Sequence, residues 1–160
     1  FERKVYAYGI DTKAFEGGRH DMNIEPIQNG VVIDHIEAGR AMQLYKLLNL
    51  GSLDASVALI KNVPSKKMGK KDIIKIDADI DLDFDVIGFV DPSATVVIIR
   101  NAELGEKRSI ALPEKLTNVI FCKNPRCITS VEQEIDHIFK LADPDKKEYR
   151  CIYCETKYSN

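Results

Sequence analysis

The first 121 of the chain's 160 residues contain no cysteine, so neither a disulfide framework nor a thiolate metal site can organise most of its length. No apolar run approaches the roughly 20 residues that a membrane-spanning helix needs, and no membrane partner is expected. A Gly-rich phosphate loop of the GxxxxGK type is also missing. The three histidines, His20, His35 and His137, fall in different segments, and no Ser-His-Asp arrangement can be assembled from their positions. An excess of basic charge is lacking too. The chain holds 23 Lys and Arg against 25 Asp and Glu; residues 113–160 hold eight of each, leaving 15 basic and 17 acidic in the first 112. Nonspecific affinity for nucleic acid comes largely from phosphate neutralisation, so this balance argues against a nucleic-acid partner.

All four cysteines stand in the last 40 residues, as Cys122-x4-Cys127 and Cys151-x2-Cys154, with 23 residues between the pairs. Two close pairs at such a separation read as a zinc ribbon, each pair forming a knuckle. The alternative is a pair of structural disulfides. A chain that is 30% charged and shows no secretory leader reads as cytoplasmic, where thiols stay reduced. Four thiolates close a tetrahedral shell and leave no position for substrate or activated water. One zinc per chain is therefore expected, structural in role, and no cysteine remains as a nucleophile.

The rest supports an α+β protein with one moderate core of about 100 residues ahead of the cysteine-rich tail. Residues 1–23, broken by Gly17-Gly18, have no clean period and read as an arm or an added strand. A buried strand over Val31–Ile36 precedes a helix over Ala38–Leu50, for which Gly51 is the natural stop. Ala55–Lys61 and Lys70–Asp77 read as strands, Leu82–Val90 as a helix capped by Asp79 or Asp81, Thr95–Ile99 as an apolar strand, and Leu104–Ile110 as a further edge strand. This order predicts a ferredoxin-like antiparallel sheet with two helices on one face over residues 24–112. A small zinc-ribbon β domain over 113–160 follows.

Two polar interruptions stand out. Alternation puts Lys71, Ile73 and Lys75 on one face of their strand and Ile74 with Ile76 on the other. The lysines are either the solvated side of a half-buried strand or part of an anion site. Asp34-His35 lies inside an apolar run, where the pair is either hydrogen-bonded core or part of a pocket, and spacing alone cannot bring it to the lysines.

Several longer blocks occur in one order: Val32-Ile33-Asp34-His35-Ile36, Met68-Gly69-Lys70-Lys71-Asp72-Ile73-Ile74-Lys75-Ile76, the stretch from Pro92 to Val96, and Leu112-Pro113-Glu114-Lys115-Leu116-Thr117-Asn118-Val119-Ile120 leading into the first cysteine pair. From about Ile24 onward the chain resembles the regulatory chain of aspartate carbamoyltransferase. The resemblance implies a noncatalytic subunit of pyrimidine biosynthesis. Its N-terminal allosteric domain would bind nucleoside triphosphates, CTP and UTP as inhibitors and ATP as activator, and its zinc domain would dock on the catalytic chain. Regulatory-chain homodimers would bridge catalytic trimers. Carried over by position, Asp34 would hold the ribose and Lys75 the ribose or base. His35, Lys71 and Lys107 would meet the phosphates, and backbone near Ile27 and Ala102, with Val32, would border the base. Val97 stands where the family commonly offers a polar side chain. Asn124 and Arg126, in the first knuckle, are either knuckle-loop residues or contacts with the catalytic chain. The rival classes are a zinc-ribbon adaptor for nucleic acid or another protein, which requires a basic, aromatic-bearing face, and an enzyme, which lacks the motifs.

Overall fold

The computed structural model describes residues 26–159; the arm over residues 1–23, His20 and the boundary at Ile24 lie outside them. The described residues form two compact units, one of residues 26–82 with 93–110 and the other of residues 83–92 with 111–159. Among the described residues no helix is long and apolar enough to cross a membrane.

The first unit is a five-stranded antiparallel sheet. Its strands are β1 (Gly30–Glu37), β2 (Val57–Ser65), β3 (Gly69–Ile76), β4 (Thr95–Arg100) and β5 (Glu103–Ser109), in the order β2-β3-β1-β4-β5. Leaving aside the added edge strand β5, this is the split βαβ arrangement expected from the sequence, with β3 inserted between β1 and β2. Helix α1 (Ala41–Leu47) packs on β2 and β3 through buried Ala41 and Leu44. By alternation it shares its sheet face with the fully buried Ile33, Ile36, Ile74 and Ile76.

Gly51 does not stop α1. The helix ends earlier, at the cap residue Leu48, and Asn49 takes the left-handed turn (φ 53°) before a single 3-10 turn at Leu50–Ser52. Asn tolerates that conformation, so a glycine was not required. Helix α2 (Phe84–Val90) starts later than expected, because Asp83 caps it, accepting from the N–H groups of Asp85 and Val86. Asp79 and Asp81, the expected caps, lie outside it.

The segment carrying α2 groups with the second unit. There the Phe89 ring meets Tyr149 and Tyr158 edge-on, at centroid distances of 5.5 and 5.9 Å. Strands β6 (Lys115–Thr117), β7 (Ile138–Asp143) and β8 (Glu148–Cys151) form a three-stranded antiparallel sheet. Its core is small: Leu116, Ile120, Phe139 and Tyr149, with Cys127 and Cys151. The Tyr149 hydroxyl donates to the Pro113 carbonyl at 2.6 Å. A short helix, α3 (Ile128–Val131), follows the first cysteine pair.

Gly88 shows why α2 tolerates a poor helix former at its centre. A Cβ there would fall on the Ala111 carbonyl and sit 3.1 Å from Pro113 Cδ. Neither backbone nor proline ring can yield cheaply, so overlap outweighs the gain of about 1 kcal/mol that alanine offers a helix. Gly88→Ala is expected to lower stability by about 3 kcal/mol in urea denaturation. A stabilised variant would show that close approach does not select this glycine.

Candidate functional site

Pairing across the first unit sets side chains in rows. Val32 of β1 lies opposite Lys75 of β3 on one side and Val97 of β4 on the other, and Val97 lies opposite Lys107 of β5. Lys75, Val32, Val97 and Lys107 therefore share one face, the outer two about 14 Å apart at the backbone, three strand spacings. Asp34 and Thr95 form the next row. The same face carries an apolar floor of Ile27, Val32, Ile60, Val63, Ile73, Val97 and Ile99. Val97 belongs to that floor, 2% exposed.

Lys71 and Lys75 are not on a solvated strand face. They are 6% and 4% exposed, and Asp34 is 1% exposed. Lys71 Nζ meets the two Asp34 oxygens at 2.9 and 3.2 Å, the charge pairing that burial requires. The Lys75 ammonium has no hydrogen-bond partner among the described residues. Burial lowers its pKa, offset in part by the Asp34 charge.

His35 sits in a β-bulge. The β1–β3 register shifts between Ile33 and Ile36, and His35 takes φ 56°. Its N–H donates to the Asp34 carboxylate at 2.6 Å, and its Nδ1 lies 3.0 Å from Thr95 Oγ1. Burial lowers its pKa; Asp34 opposes this, while Lys71, Lys107 and Lys67 add to the lowering. Lys107 is exposed on β5, and Lys67 in the β2–β3 turn extends the positive field. Two amides stitch the ends of this face together: Ala102 donates to the Gln28 carbonyl at 2.8 Å and Asn101 to the Asn29 side chain at 3.0 Å. Ile27 and Ala102 thus come to one edge of the sheet. Because the Ala102 N–H is already committed, only its carbonyl is left to meet a ligand.

All the residues singled out for this face converge on it. Thr95 and Lys67 were not singled out as individual positions. Thr95 becomes relevant only through the bulge that brings His35 to it, and Lys67 only through the β2–β3 connection that brings its charge within range of His35.

The second unit brings Cys122, Cys127, Cys151 and Cys154 together, with all four Sγ atoms within 4.8 Å of one another. All are free thiols. The Cys122–Cys154 and Cys127–Cys151 separations, 3.5 and 3.8 Å, far exceed a disulfide bond of about 2.05 Å. They approach the edge, about 3.8 Å, of a tetrahedron with metal–sulfur bonds near 2.3 Å. Burial pushes the Cys122 and Cys151 thiols up. Burial acts the same way on Cys154, but hydrogen bonds from Thr156 and Asn124 overcome it and bring that thiol down. Deprotonated together, four thiolates in so small a volume would need a cation among them, and the donor set fits one.

Polar neighbours hold the cage. Thr129 donates to Cys127 Sγ at 3.1 Å, the Cys122 N–H donates to His137 Nδ1 at 3.1 Å, and Thr156 Oγ1 lies 3.2 Å from Cys154 Sγ. Asn124 accepts from the Cys127 N–H through its carbonyl and from the Arg126 N–H through its side chain, both at 3.0 Å. Asn124 is thus built into the knuckle, whereas Arg126 is exposed.

An antiparallel sheet with a cationic, partly apolar face, joined in one chain to a four-cysteine cluster able to hold a metal ion, defines a two-part protein with a candidate metal-binding unit. Two family models match it: the allosteric domain of the aspartate carbamoyltransferase regulatory chain over residues 22–111, and the metal-binding domain of the same chain over 114–160. The aspartate carbamoyltransferase regulatory chain of Clostridium tetani is 50% identical over 138 residues, 86% of this chain and 96% of the relative. That of Clostridium botulinum is 49% identical over 138 residues, 86% and 94%, and that of Bifidobacterium longum 44% over 134 residues, 84% and 96%. The chain belongs to the aspartate carbamoyltransferase regulatory-chain family and is a noncatalytic subunit.

Proposed function

We propose that this chain binds nucleoside triphosphates on the Asp34–Lys75 face, within an allosteric domain of residues 24–112. A zinc domain of residues 113–160 then docks on the catalytic chain of aspartate carbamoyltransferase. The observation that carries the reading is the convergence of buried Lys71 and Lys75 with His35 and Lys107 on one sheet face, around a carboxylate already paired to Lys71. Ammonium groups neutralise a triphosphate as point charges. Asp34 keeps lone pairs for ribose hydroxyls, and the apolar floor beside Ile27, Val32 and Ala102 suits a base. CTP and UTP act as inhibitors and ATP as activator, by binding compact and expanded states of the assembly with different affinity.

Zinc is the metal because four cysteine thiolates in tetrahedral array match its preference. The docking surface is supported by a group of exposed apolar side chains in the second unit, among them Phe121, Ile128, Val131, Ile152 and Tyr153, 44 to 69% exposed, more than a lone soluble unit of this size normally presents. Arg126 lies on the exposed side of the same knuckle. The chain pairs as a homodimer and works in the cytoplasm.

The reading is tested by thermal denaturation of the metal-loaded chain with CTP, UTP, ATP and inorganic tripolyphosphate. A ligand at about 100 times its Kd stabilises by about 2.7 kcal/mol. Selective shifts with nucleotides, lost in Lys75→Ala and Lys107→Ala, are expected. Equal shifts with tripolyphosphate would reduce the face to a nonspecific basic patch. Proton uptake is a second signature. The free-state pKa values of His35 and Lys75 are lowered, and a bound polyanion raises both, so the bound state holds more protons. Calorimetry in buffers of different ionisation enthalpy should show net uptake near pH 7. Affinity should weaken as pH rises through the interval between the free and bound values of His35.

A further inference from the structure

Asp72 takes no part in the proposed nucleotide contacts, yet it is fully buried in β3. A carboxylate withdrawn from water is tolerated only when well hydrogen-bonded. Its partners among the described residues are all backbone N–H groups: Gly39 at 2.9 Å and Ala41 at 3.4 Å on one oxygen, and Asn62 at 3.0 Å on the other. Gly39 and Ala41 belong to the junction between β1 and α1, and Asn62 belongs to β2. One side chain therefore ties β2 to the segment that leads from β1 into α1.

Both flanking strands are irregular at this level. β1 fits two residues between Ile33, opposite Ile74, and Ile36, opposite Asp72; β2 fits two between Ile60, opposite Ile73, and Val63, opposite Lys71. In each case β3 has one residue fewer. The inserted stretches contain His35 at φ 56° and Asn62 at φ 58°, residue types that enter the left-handed region more readily than most, and the Asn62 N–H is held there by the Asp72 carboxylate. The first bulge decides what faces the ligand. In a regular strand Asp34 and Ile36 would share a face. With one extra residue, Asp34 meets Lys71 while Ile36 is buried beside Ile33.

We infer that Asp72 is a positioning residue for the nucleotide site: from the opposite face of the sheet it holds both bulges in register, and so sets where Asp34, His35 and Lys71 stand, without meeting the ligand. This rests on the pocket reading above. Asp72→Asn preserves the shape but replaces one acceptor oxygen with a donor facing N–H groups.

The experiment compares the full-length, metal-loaded wild type with Asp72→Asn and with Leu44→Ala, a core truncation in α1, at a temperature where all three are folded. It reads Kd for CTP and ATP and amide exchange at His35 and Asn62. Asp72→Asn is expected to weaken both nucleotides roughly tenfold, the size of one charge-assisted hydrogen bond, with faster exchange at both amides, while Leu44→Ala stays within about twofold of wild type. Wild-type affinity in Asp72→Asn, or an equal loss in Leu44→Ala, would overturn the inference. If the wild type binds neither nucleotide, the pocket reading fails on its own. Exchange then decides: unchanged protection of His35 and Asn62 in Asp72→Asn would overturn the positioning role as well.

Discussion

Stripping the metal from the intact chain with a chelator is expected to melt residues 111–160 while the five-stranded sheet stays folded. Among its described residues the second unit buries six core residues, two of them cysteines of the cage, with side chains such as Phe89, Leu112, Leu141 and Tyr158 only partly buried against them, and a core that small cannot offset the chain entropy of some 50 residues. A structural zinc in such a site contributes about 10–16 kcal/mol, as much as the net stability of a whole domain, about 5–15 kcal/mol. Cys151→Ser should act like the chelator, since Cys151 is 1% exposed and belongs to both cage and core. The measurement is two-dimensional NMR during metal release. Aromatic resonances of Phe139 and Tyr149 should collapse together with the metal, while the amides of β1 and β3 keep their protection. A metal-free chain with those aromatic resonances intact would show that the thiols are not what holds the unit.

Asp34→Ala is expected to cost the first unit about 3–5 kcal/mol, the usual result of leaving one member of a buried ion pair alone. Here the survivor is Lys71, 6% exposed, and the His35 N–H loses its acceptor as well. The double variant Asp34→Ala/Lys71→Met should recover much of the loss, because no uncompensated charge remains. The single substitution also changes ligand choice in a distinctive way. It adds one net positive charge to the cationic face, so inorganic tripolyphosphate should bind more tightly, while the advantage of a nucleotide over tripolyphosphate shrinks with the loss of the ribose acceptor. Urea denaturation and competition titrations read the two effects separately. Tighter nucleotide binding with selectivity retained would remove Asp34 from the site.

The cysteine cage was fully legible, since four residues of one rare type at knuckle spacing admit few geometries. The strands were legible as well, because β1 and β4 are short continuous apolar runs and β3 alternates. The burial of Lys71 and Lys75 was not. Alternation says which residues share a face, but whether that face is wet depends on Asp34, 37 positions from Lys71 in sequence, and on two bulges that leave no local mark. Asn49 and Asp83 displaced the expected Gly51 and Asp79 or Asp81 because several acceptable capping residues stood within a few positions, and tertiary packing chose among them. Asp72 hid in plain view, as one more charged residue beside Lys70 and Lys71, with backbone amides as partners and so without any side-chain signature. The grouping of α2 was invisible for a similar reason: Phe89 looks like any aromatic on a helix until Tyr149 and Tyr158 arrive from 60 residues away.

That grouping makes the polypeptide's path discontinuous. Residues 83–92 leave the sheet's unit between β3 and β4, and the chain returns to it before departing again after Ile110, so a cut after β5 separates α2 from the residues it groups with. A protein truncated at the end of β5 would carry a stranded helix whose Phe89 had lost both tyrosines and whose Gly88 faced open space. Poor solubility of such a fragment would reflect an orphaned apolar surface, and would carry no information about the sheet's own capacity to fold.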